Sequence, residues 1–503
     1  MDYLMAHDLG TTGNKATLYT KDGLLIGSEF IAYDTYYPGY NCVEQDGNQW
    51  WQSVVKSTQN LMKKANINPE SLAGISFSGQ MMGAVAVDRN GELLRNPIIW
   101  ADQRSMPQTK KLEAYGMQKV YQIAGTRVSP TFSGEKIAWL KENEPEVYEK
   151  TYKFLLAKDY IIMKLTGKFR TDYSDASMTN IFDVNTLSWS EEICSVLDID
   201  RNKLPEIVES TRLAGHVTPQ MAAQLGISTK TGIYQGGGDG ACASTGAGIN
   251  QPGEIYAYLG SSSWLSTTTD TPIFDPEMRT FNFCHTKEGL FCPTGTMQAG
   301  GASYNWAKDT LCSMEENYAK DLDVSVFSIM DDMIDRIPVG SKNLLFLPYL
   351  LGERSPHWNP NAKGAYIGLK ASHTKAHLLR AVLEGVTFNL NIILGVLENV
   401  VKFDRIRVIG GGAKGRNWQQ ILADVFNHEI TIPQYLDEAT SMGAAIVAGV
   451  GANMITFEQG STFIRDIKTV KPIEANHIAY MKQFKIFNKA YKALEETFDL
   501  LSN

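Results

Sequence analysis

Asp239 is the residue whose neighbours best suit a catalytic carboxylate. It lies in the run Gly236-Gly237-Gly238-Asp239-Gly240-Ala241, after the predicted strand 232–235 and at the start of a predicted helix rich in small residues. Flanking glycines leave the carboxylate open, and an aspartate so placed can accept the proton of a hydroxyl group during phosphoryl transfer. The alternative is that Asp239 only caps the helix. These residues alone support both interpretations equally.

Two further turns, rich in glycine and hydroxyl groups, could bind phosphate. They are Asp8-Leu9-Gly10-Thr11-Thr12-Gly13-Asn14-Lys15 and Gly260-Ser261-Ser262-Ser263, and each follows a predicted strand. Backbone N–H groups converge on an anion in such turns, and Asp8 could hold Mg²⁺ largely through water. Neither turn fits the P-loop pattern, and each alone is more typical of an ordinary hairpin. Their recurrence, together with a third turn, favours phosphate binding.

The third turn, Gly410-Gly411-Gly412-Ala413-Lys414-Gly415, lies between the predicted strand 406–409 and the predicted helix 418–426. Its Gly-x-Gly-x-x-Gly spacing matches a dinucleotide fingerprint, which also requires an acidic residue at the end of the next strand. The next predicted strand, 429–432, is followed by Pro433 instead. We therefore predict nucleotide binding at the start of this helix, but not NAD binding.

The elements that must position these turns recur along the chain. A strand, a turn rich in glycine and hydroxyl groups, and a returning strand occur at the beginning and again from residue 254. Strands alternate with predicted helices in both halves, including a helix with Asp46 as its N-cap, and this alternation is typical of an α/β protein. We predict two related domains that face each other, residues 1–247 and 248–503, with the small residues 246–250 as the hinge.

Composition argues against several classes of function. The chain has 503 residues, enough for more than one core, and its formal net charge of −8 argues against nucleic acid or an anionic membrane as a partner. No apolar run reaches the ~20 residues of a membrane helix. The six cysteines form no Cys-x-x-Cys pair, so we expect reduced thiols in a cytoplasmic protein. His373 and His377 lack the zinc-protease pattern, and we expect two surface residues without a metal.

Longer motifs resemble the FGGY carbohydrate kinases, and most closely their xylulose kinase branch. The segments that carry the resemblance are 8–13, 133–140, 346–354, 364–369, 377–384 and 437–445. Gly364-Ala365-Tyr366-Ile367-Gly368-Leu369 and the later segment 377–384 are similar to the second family signature. Segment 133–140 is similar to the first signature, although Thr131 departs from its usual residue type. The resemblance extends to about Gly449, nearly the whole chain.

The resemblance implies two ribonuclease-H-like (actin-like ATPase) domains that close on a central cleft, with Mg-ATP as the phosphate donor. It also implies that Asp239 is the catalytic base and that Asp8 lies near Mg²⁺. The residues implied to contact the nucleotide are Thr11, Thr12, Gly13 and Lys15 at the terminal phosphates, Gly260 and Ser261 at the β- and γ-phosphates, Gly301 and Asn305 along the nucleotide, and Gly411, Gly412 and Asn417 near the adenosine.

The sugar site is implied to lie in the first domain. Its implied residues are Gln80, Met81, Met82, Trp100, Asp102, Arg104, Asp239 and Gly240. Trp100 could offer an apolar face to the sugar, with simple core packing as an equal alternative, and the charged pair could fix hydroxyl groups. Two residues depart from the xylulose kinases, which carry His at the position of Met82 and often Asn at that of Gly240. A thioether is a weak hydrogen-bond partner, so ATP use is better supported than D-xylulose. The Arg-Glu pair of glycerol kinases is absent, which argues against glycerol.

Two functions of different classes remain. The first is ATP-dependent phosphorylation of a small ketose or polyol, with a pentulose such as D-xylulose as the leading acceptor and other sugars as alternatives. The second is an actin-like ATPase that acts as a binding or assembly module without a sugar acceptor, which would not need the loops near residues 80 and 100. FGGY kinases are often dimers, so we expect a cytoplasmic homodimer that binds a small sugar.

Overall fold

The first half of the chain builds a mixed sheet on the predicted opening hairpin. The structure, a computed structural model, describes residues 3–502, so the outermost residues of the two predicted domains lie outside it. The strands of this half are β1 (Tyr3–Leu9), β2 (Gly13–Thr20), β3 (Leu25–Ala32), β4 (Thr35–Gly39), β5 (Cys42–Gln45), β6 (Leu72–Gly79), β7 (Val85–Val87), β8 (Lys153–Leu155), β9 (Arg170–Asp172), β10 (Phe182–Asp183), β11 (Ser188–Trp189), β12 (Glu206–Val208), β13 (Leu213–His216), β14 (Gly232–Tyr234) and β15 (Gly237–Gly238). The helices are α1 (Gly47–Ala65), α2 (Met106–Ala124), α3 (Ser133–Asn143), α4 (Pro145–Lys150), α5 (Ala157–Thr166), α6 (Tyr173–Ala176), α7 (Glu191–Val196), α8 (Pro219–Leu225) and α9 (Asp239–Gly246).

Strand register in the first sheet brings three of the predicted functional segments to one edge. The strand order is β13-β14-β6-β1-β2-β3, and β15 also pairs with β6. Because β1 and β15 both run parallel to β6, Leu9 and Gly238 pair with the same residue, Gly79. The segments that follow these strands are the first phosphate turn, the loop from Gln80 and the helix that begins at Asp239. They therefore meet at the carboxyl end of the sheet.

The second half repeats this arrangement. Its strands are β16 (Ile255–Leu259), β17 (Ser263–Thr267), β18 (Phe281–Cys284), β19 (Phe291–Met297), β20 (Leu345–Leu347), β21 (Ala365–Ile367), β22 (Arg405–Ile409), β23 (Glu429–Pro433) and β24 (Asp466–Val470). Its helices are α10 (Gly301–Leu311), α11 (Ser313–Asp321), α12 (Val326–Ile334), α13 (Lys375–Glu398), α14 (Arg416–Phe426), α15 (Ala439–Gly451), α16 (Phe457–Ser461) and α17 (Glu474–Leu500). The strand order is β18-β19-β17-β16-β22-β23-β24. Strand β16 is antiparallel to β17 and parallel to β22, as β1 is to β2 and β6. The predicted pair of similar α/β cores is confirmed.

Helix α15 follows the second sheet in sequence but packs on the first. Its buried residues Met442, Ala445 and Ile446 form one apolar cluster with Leu4 of β1 and Tyr19 of β2. It also crosses α9 closely. The two halves therefore share a core, which the sequence division at residue 247 did not anticipate.

Helix α13 is long and apolar enough to cross a membrane by length and composition, but 78% of its apolar window is buried inside the protein, as in a core helix. This packing corrects the expectation that His377 lies at the surface. His377 is only 4% exposed. Its Nδ1 accepts a hydrogen bond from the N–H of Thr374, 3.2 Å away, at the start of the helix.

All six cysteines are free thiols.

Candidate active site

Asp239 is the first residue of α9, and its backbone is held from several sides. Gly236 has φ +71, and a Cβ there would lie 1.9 Å from the Phe77 carbonyl oxygen. The backbone that leads to Asp239 therefore requires glycine at this position. The N–H of Gly238 donates to Ser174 Oγ at 3.0 Å. One carboxylate oxygen of Asp239 accepts from the N–H of Gly240 at 2.8 Å, while the side chain is exposed. Asp239 thus has one hydrogen bond to the backbone of its own helix and an accessible carboxylate, and it does not cap the helix.

Two carboxylates, Asp8 and Asp239, lie near each other at this edge of the sheet. Although Asp239 meets solvent, protein atoms crowd it, and this desolvation together with the charge of Asp8 raises the pKa of Asp239 to about 7. Burial likewise raises the pKa of Asp8, against the opposing effects of Ser78 and Lys15. Residues 3–502 contain no cluster of three or more His, Cys, Asp or Glu side chains suited to a metal. A site with so few carboxylates fits Mg²⁺, which keeps several of its water ligands.

The turn predicted to bind the terminal phosphates is tied both to Trp100 and to the second half. Thr11 Oγ1 accepts a hydrogen bond from Trp100 Nε1 at 2.9 Å, and Thr12 is exposed. Gly13 is required by packing, since a Cβ there would lie 2.6 Å from the Ile31 carbonyl oxygen. Lys15 Nζ donates to Glu438 Oε1 at 3.0 Å and to the Asp437 carbonyl oxygen. Lys15 therefore bridges to the segment that enters α15.

A cavity of about 560 Å³ gathers most of the predicted nucleotide residues of the second half. The predicted residues that line it are Gly260, Ser261, Gly301, Asn305, Gly411 and Gly412. The N–H of Gly301 donates to the Gly260 carbonyl oxygen at 2.7 Å, which joins the second turn to α10. A Cβ on Gly411 would meet nothing within 4 Å, so this glycine faces open space. The second and third turns and the start of α10, which are distant in sequence, thus form one cavity wall.

The cavity also has walls that the sequence did not predict. Tyr304 and Phe327 line it and stack at 5.7 Å, and Asp331 and Trp418 complete this side. Tyr304 and Trp418 each adjoin a predicted residue, which could have signalled them, whereas α12 carries no motif. Asn417 lies beside the cavity wall, and its Nδ2 donates to the Asp331 carbonyl oxygen at 2.9 Å. This hydrogen bond joins the start of α14 to α12.

Of the residues predicted to bind the sugar, Gln80, Met81 and Met82 form the loop after β6. Gln80 is buried, and its Nε2 donates to Gln45 Oε1 at 2.8 Å. Met81 packs in an apolar cluster with Phe132 and Phe283, and Met82 lies at its edge. Met82 has φ +64, an uncommon conformation for a side chain of this size. This loop therefore presents an apolar surface beside Asp239.

Lys136 stabilises that loop through a buried hydrogen bond. It is fully buried, and its Nζ donates to the Met82 carbonyl oxygen at 2.8 Å and to the Thr131 carbonyl oxygen. Burial lowers the pKa of Lys136 to about 7. The first-signature segment thus contributes the support of the loop.

Asp102 and Arg104 form an internal ion pair. Asp102 is fully buried, and its Oδ2 accepts from Arg104 Nη2 at 2.8 Å and from the Val43 N–H. Arg104 Nη2 also lies 2.7 Å from Glu44 Oε1. In this geometry Asp102 positions Arg104 and offers no free oxygen to the cleft. The expectation that Asp102 contacts a hydroxyl group of the sugar directly is therefore not supported by its position.

A buried charge cluster lies behind Asp239. Lys158 Nζ is 2.6, 2.8 and 3.2 Å from carboxylate oxygens of Asp159, Asp172 and Asp175. All four side chains are fully buried. Asp172 also accepts hydrogen bonds from Ser174, which in turn accepts from the Gly238 N–H. The cluster is thereby connected to the backbone that leads to Asp239.

Comparisons with known proteins identify the family of this chain. The models of the FGGY family of carbohydrate kinases match residues 3–246 with the N-terminal domain and 255–452 with the C-terminal domain. A xylulose kinase of Bacillus subtilis (strain 168) is 33% identical over 98% of this chain and 97% of its own length. A gluconokinase of Bacillus licheniformis is 32% identical over 100% of this chain and 98% of its own length.

A solved sugar kinase structure shares the whole fold. The structure of ligand-bound xylulose kinase from Lactobacillus acidophilus matches with a TM-score of 0.92, covers 100% of both chains and is 29% identical. The predicted two-domain actin-like architecture is confirmed by this match. An ATPase module without a sugar acceptor is set aside by the family matches. The chain belongs to the FGGY family of carbohydrate kinases and is an ATP-dependent kinase of a small sugar or related compound.

Proposed function

We propose that this kinase uses Asp239 as general base to phosphorylate a hydroxyl group of a small polyhydroxy acceptor. The sequence favours a pentulose such as D-xylulose, and the similar identity to xylulose kinases and gluconokinases supports a sugar acid as a second candidate acceptor. The observation that carries the assignment of the base is the exposed Asp239 carboxylate at the edge of the sheet, with its pKa near 7. A base with a pKa near the working pH transfers protons well.

The chemical step is a direct transfer. The acceptor oxygen attacks the γ-phosphorus of ATP and forms a new O–P bond, while the bond from this phosphorus to the β,γ-bridging oxygen breaks and ADP leaves. The hydroxyl proton passes to Asp239. The hydrogen bond from the Gly240 N–H and the tightly packed glycine backbone before Asp239 hold the carboxylate in position during this transfer.

The three turns are proposed to bind the nucleotide. Thr11, Thr12, Gly13 and Lys15 would contact the terminal phosphates opposite Gly260 and Ser261, while Gly301, Asn305, Gly411 and Gly412 line the cavity proposed for the rest of the nucleotide. Asn417 would act indirectly through α12. The carboxylate of Asp8 would hold Mg²⁺, which supplies neutralisation of phosphate charge when bound.

The acceptor is proposed to lie between the loop from Gln80 to Met82, Trp100, Arg104 and the Asp239-Gly240 segment. Met82 offers little hydrogen bonding, so selectivity for a hydroxyl group must come from other residues. Trp100 is half-buried and already bonded to Thr11, which couples the sugar side to the phosphate turn.

The test is ADP release in the presence of Mg-ATP and a panel of ketoses, polyols and sugar acids. At least one acceptor should stimulate release strongly, and Asp239→Asn should lower kcat by about 10²–10⁴-fold. Asp22→Asn, which changes an exposed carboxylate in the β2–β3 turn, is the matched control. Near-normal turnover by Asp239→Asn would refute the general-base assignment.

A further inference from the structure

A second cavity, of about 610 Å³, lies at the amino ends of strands in the second sheet, and we call it the amino-end cavity. Strands β16 and β22 begin at this cavity and lead to the cavity proposed for the nucleotide, which lies at their carboxyl ends. The proposed reaction therefore does not use it. Six of the residues that line it are Glu254, Phe403, Asp404, Arg405, Glu429 and Thr431.

Strand register places polar side chains of the amino-end cavity on one face of the sheet. Arg405 of β22 pairs with Glu429 of β23, and two residues further along Arg407 pairs with Thr431. Residues two apart in a strand point to the same face, so these four side chains lie side by side. Glu254, directly before β16, lines the same cavity. The sheet thus gathers several charged groups and one hydroxyl group at one position.

Two of these charged groups already have partners. Arg407 Nε and Nη2 lie 2.9 and 3.0 Å from the two carboxylate oxygens of Asp466. Arg407 also donates from Nη1 to the Ala247 carbonyl oxygen, directly after α9. The Oε1 of Glu429 lies 3.2 Å from Lys471 Nζ. The charges of Arg407 and Glu429 are therefore largely neutralised within the protein.

The other charged groups of the cavity carry an excess of negative charge. Within residues 3–502, Glu254, Asp404 and Arg405 form no ion pair, which leaves two carboxylates against one guanidinium. Asp404 and Arg405 are exposed to water, whereas Glu254 is half-buried. The Oε2 of Glu254 accepts from the N–H groups of Asn250 and Gln251 at 2.7 and 2.9 Å. Its Oε1 accepts no hydrogen bond in the described part of the chain and remains free for a donor.

Thr431 adds an independent sign that the cavity holds a ligand. Its side chain is only 3% exposed, and its Oγ1 is buried without a hydrogen-bond partner among residues 3–502. A buried hydroxyl group without a partner costs free energy, which a donor bound in the cavity would recover. Phe403 lines the same cavity and offers an aromatic surface to a carbon chain or a cation.

We propose that the amino-end cavity binds a small alkylammonium compound, whose ammonium group donates hydrogen bonds to Glu254 Oε1 and Thr431 Oγ1. An ammonium group has three donors and no acceptor, and its bond to a carboxylate is charge-assisted. The carbon chain of the compound packs on Phe403. Arg405, at the exposed edge, can pair with a carboxylate of the same molecule, so the class covers short diamines and amino acids. A phosphate compound would meet the excess of carboxylates and is excluded on that ground.

The experiment is calorimetric titration of the whole protein, without nucleotide or sugar, with 1,5-diaminopentane and 1,5-pentanediol. These probes share a carbon chain and differ in charge. The diamine should bind with one molecule per chain and at least about tenfold more tightly than the diol. L-Lysine, which adds a carboxylate to the same diamine, distinguishes the two sources. Tighter binding of L-lysine than of the diamine identifies an amino acid, and weaker binding identifies a diamine.

Variants locate the binding. Glu254→Gln keeps an oxygen that accepts the two backbone N–H groups but removes the charge, and it should weaken binding of the diamine by about 10- to 100-fold. Thr431→Val keeps the shape of the side chain and should weaken binding by about 3- to 10-fold. Glu496→Gln is the matched control, because it removes an exposed carboxylate of α17, outside the cavity, and should change the affinity by less than about twofold. Melting curves check that each variant folds.

Three results would overturn the proposal. The first is no binding of either amine, and the second is equal affinity for the diamine and the diol. The third is equal affinity of the diamine for Glu254→Gln and Glu496→Gln, which would mean that the net negative charge of the protein attracts the cation without a specific site. Since neither ATP nor a sugar is present, each of these results leaves the proposed kinase function intact.

Discussion

Gly246 in α9 lies directly against the backbone of Ala439 in α15, so close that a Cβ on Gly246 would be 1.7 Å from the Ala439 carbonyl oxygen. The contact is reciprocal, since a Cβ on Gly443 would lie 1.9 Å from the Cys242 carbonyl oxygen. Two helices can approach this closely only through glycine. Because α9 begins at Asp239 and α15 begins beside Lys15, this crossing sets the distance between the proposed base and the second half.

Gly246→Ala should destabilise the protein by about 1–3 kcal/mol or more, because the backbone on the other side cannot move as a side chain can. The matched control is Gly395→Ala in helix α13, where a Cβ meets nothing within 4 Å. That change should be neutral or stabilising by about 0.5–1 kcal/mol. Denaturant or thermal unfolding measures both. Equal stability of the two variants would contradict the close crossing.

Gly411→Ala should raise KM for ATP while leaving the melting temperature almost unchanged. Its new methyl group would project into the cavity rather than into the protein. Gly412→Ala is the contrasting variant, since its Cβ would lie 2.7 Å from the Trp418 ring and should lower stability. Initial rates over a range of ATP concentrations, with melting curves, separate the two effects. An unchanged KM for Gly411→Ala would argue against nucleotide in this cavity.

The raised pKa of Asp239 predicts an acid limb in the rate. Below pH 7 the fraction of ionised base falls tenfold per pH unit, so kcat/KM should follow it with an apparent pKa near 7. A pH profile that stays flat from pH 5 to 8 would show that ionisation of Asp239 does not limit the rate.

The same shift predicts a stability effect with a definite sign. The folded-state pKa of Asp239 lies above the ordinary value of about 3.9, so its contribution to stability is complete below about pH 4 and is lost as the pH rises through 7. Asp239→Asn should therefore melt at a higher temperature than the wild type at pH 8, and this difference should disappear near pH 4. The exposed variant Asp22→Asn should show no such trend. A constant difference across this range would contradict the shift.

Lys158→Met should destabilise the protein by about 3–5 kcal/mol, because it leaves three buried carboxylates without their cation. Lys141→Met removes a lysine whose ion pair with Asp198 is exposed, and should cost about 0–1 kcal/mol. Chemical unfolding at neutral pH compares them. Similar losses for both variants would show that the buried cluster is not held by Lys158.

Local runs of sequence predicted the parts of the site that depend on local backbone geometry. The glycine turns and the Asp239 segment fall where they were expected, because the residue types in a turn directly favour its local backbone conformation. Phe327 and Asp331 escaped prediction because α12 reaches the cavity only through tertiary packing. Lys158 and Asp159 are charged residues of types that are usually exposed, and nothing nearby in the sequence reveals that they are buried.

Helix α15 supplies part of the core beneath the first sheet, although it is among the last elements of the chain. During synthesis, a ribosome that has released residues 1–247 still retains the residues that cover this face. The amino-terminal segment must therefore wait, with apolar surface unburied, for some 200 further residues to be translated, which takes about 10–40 s at ordinary elongation rates. This interval is when nascent chains of the protein are most open to chaperones and to aggregation.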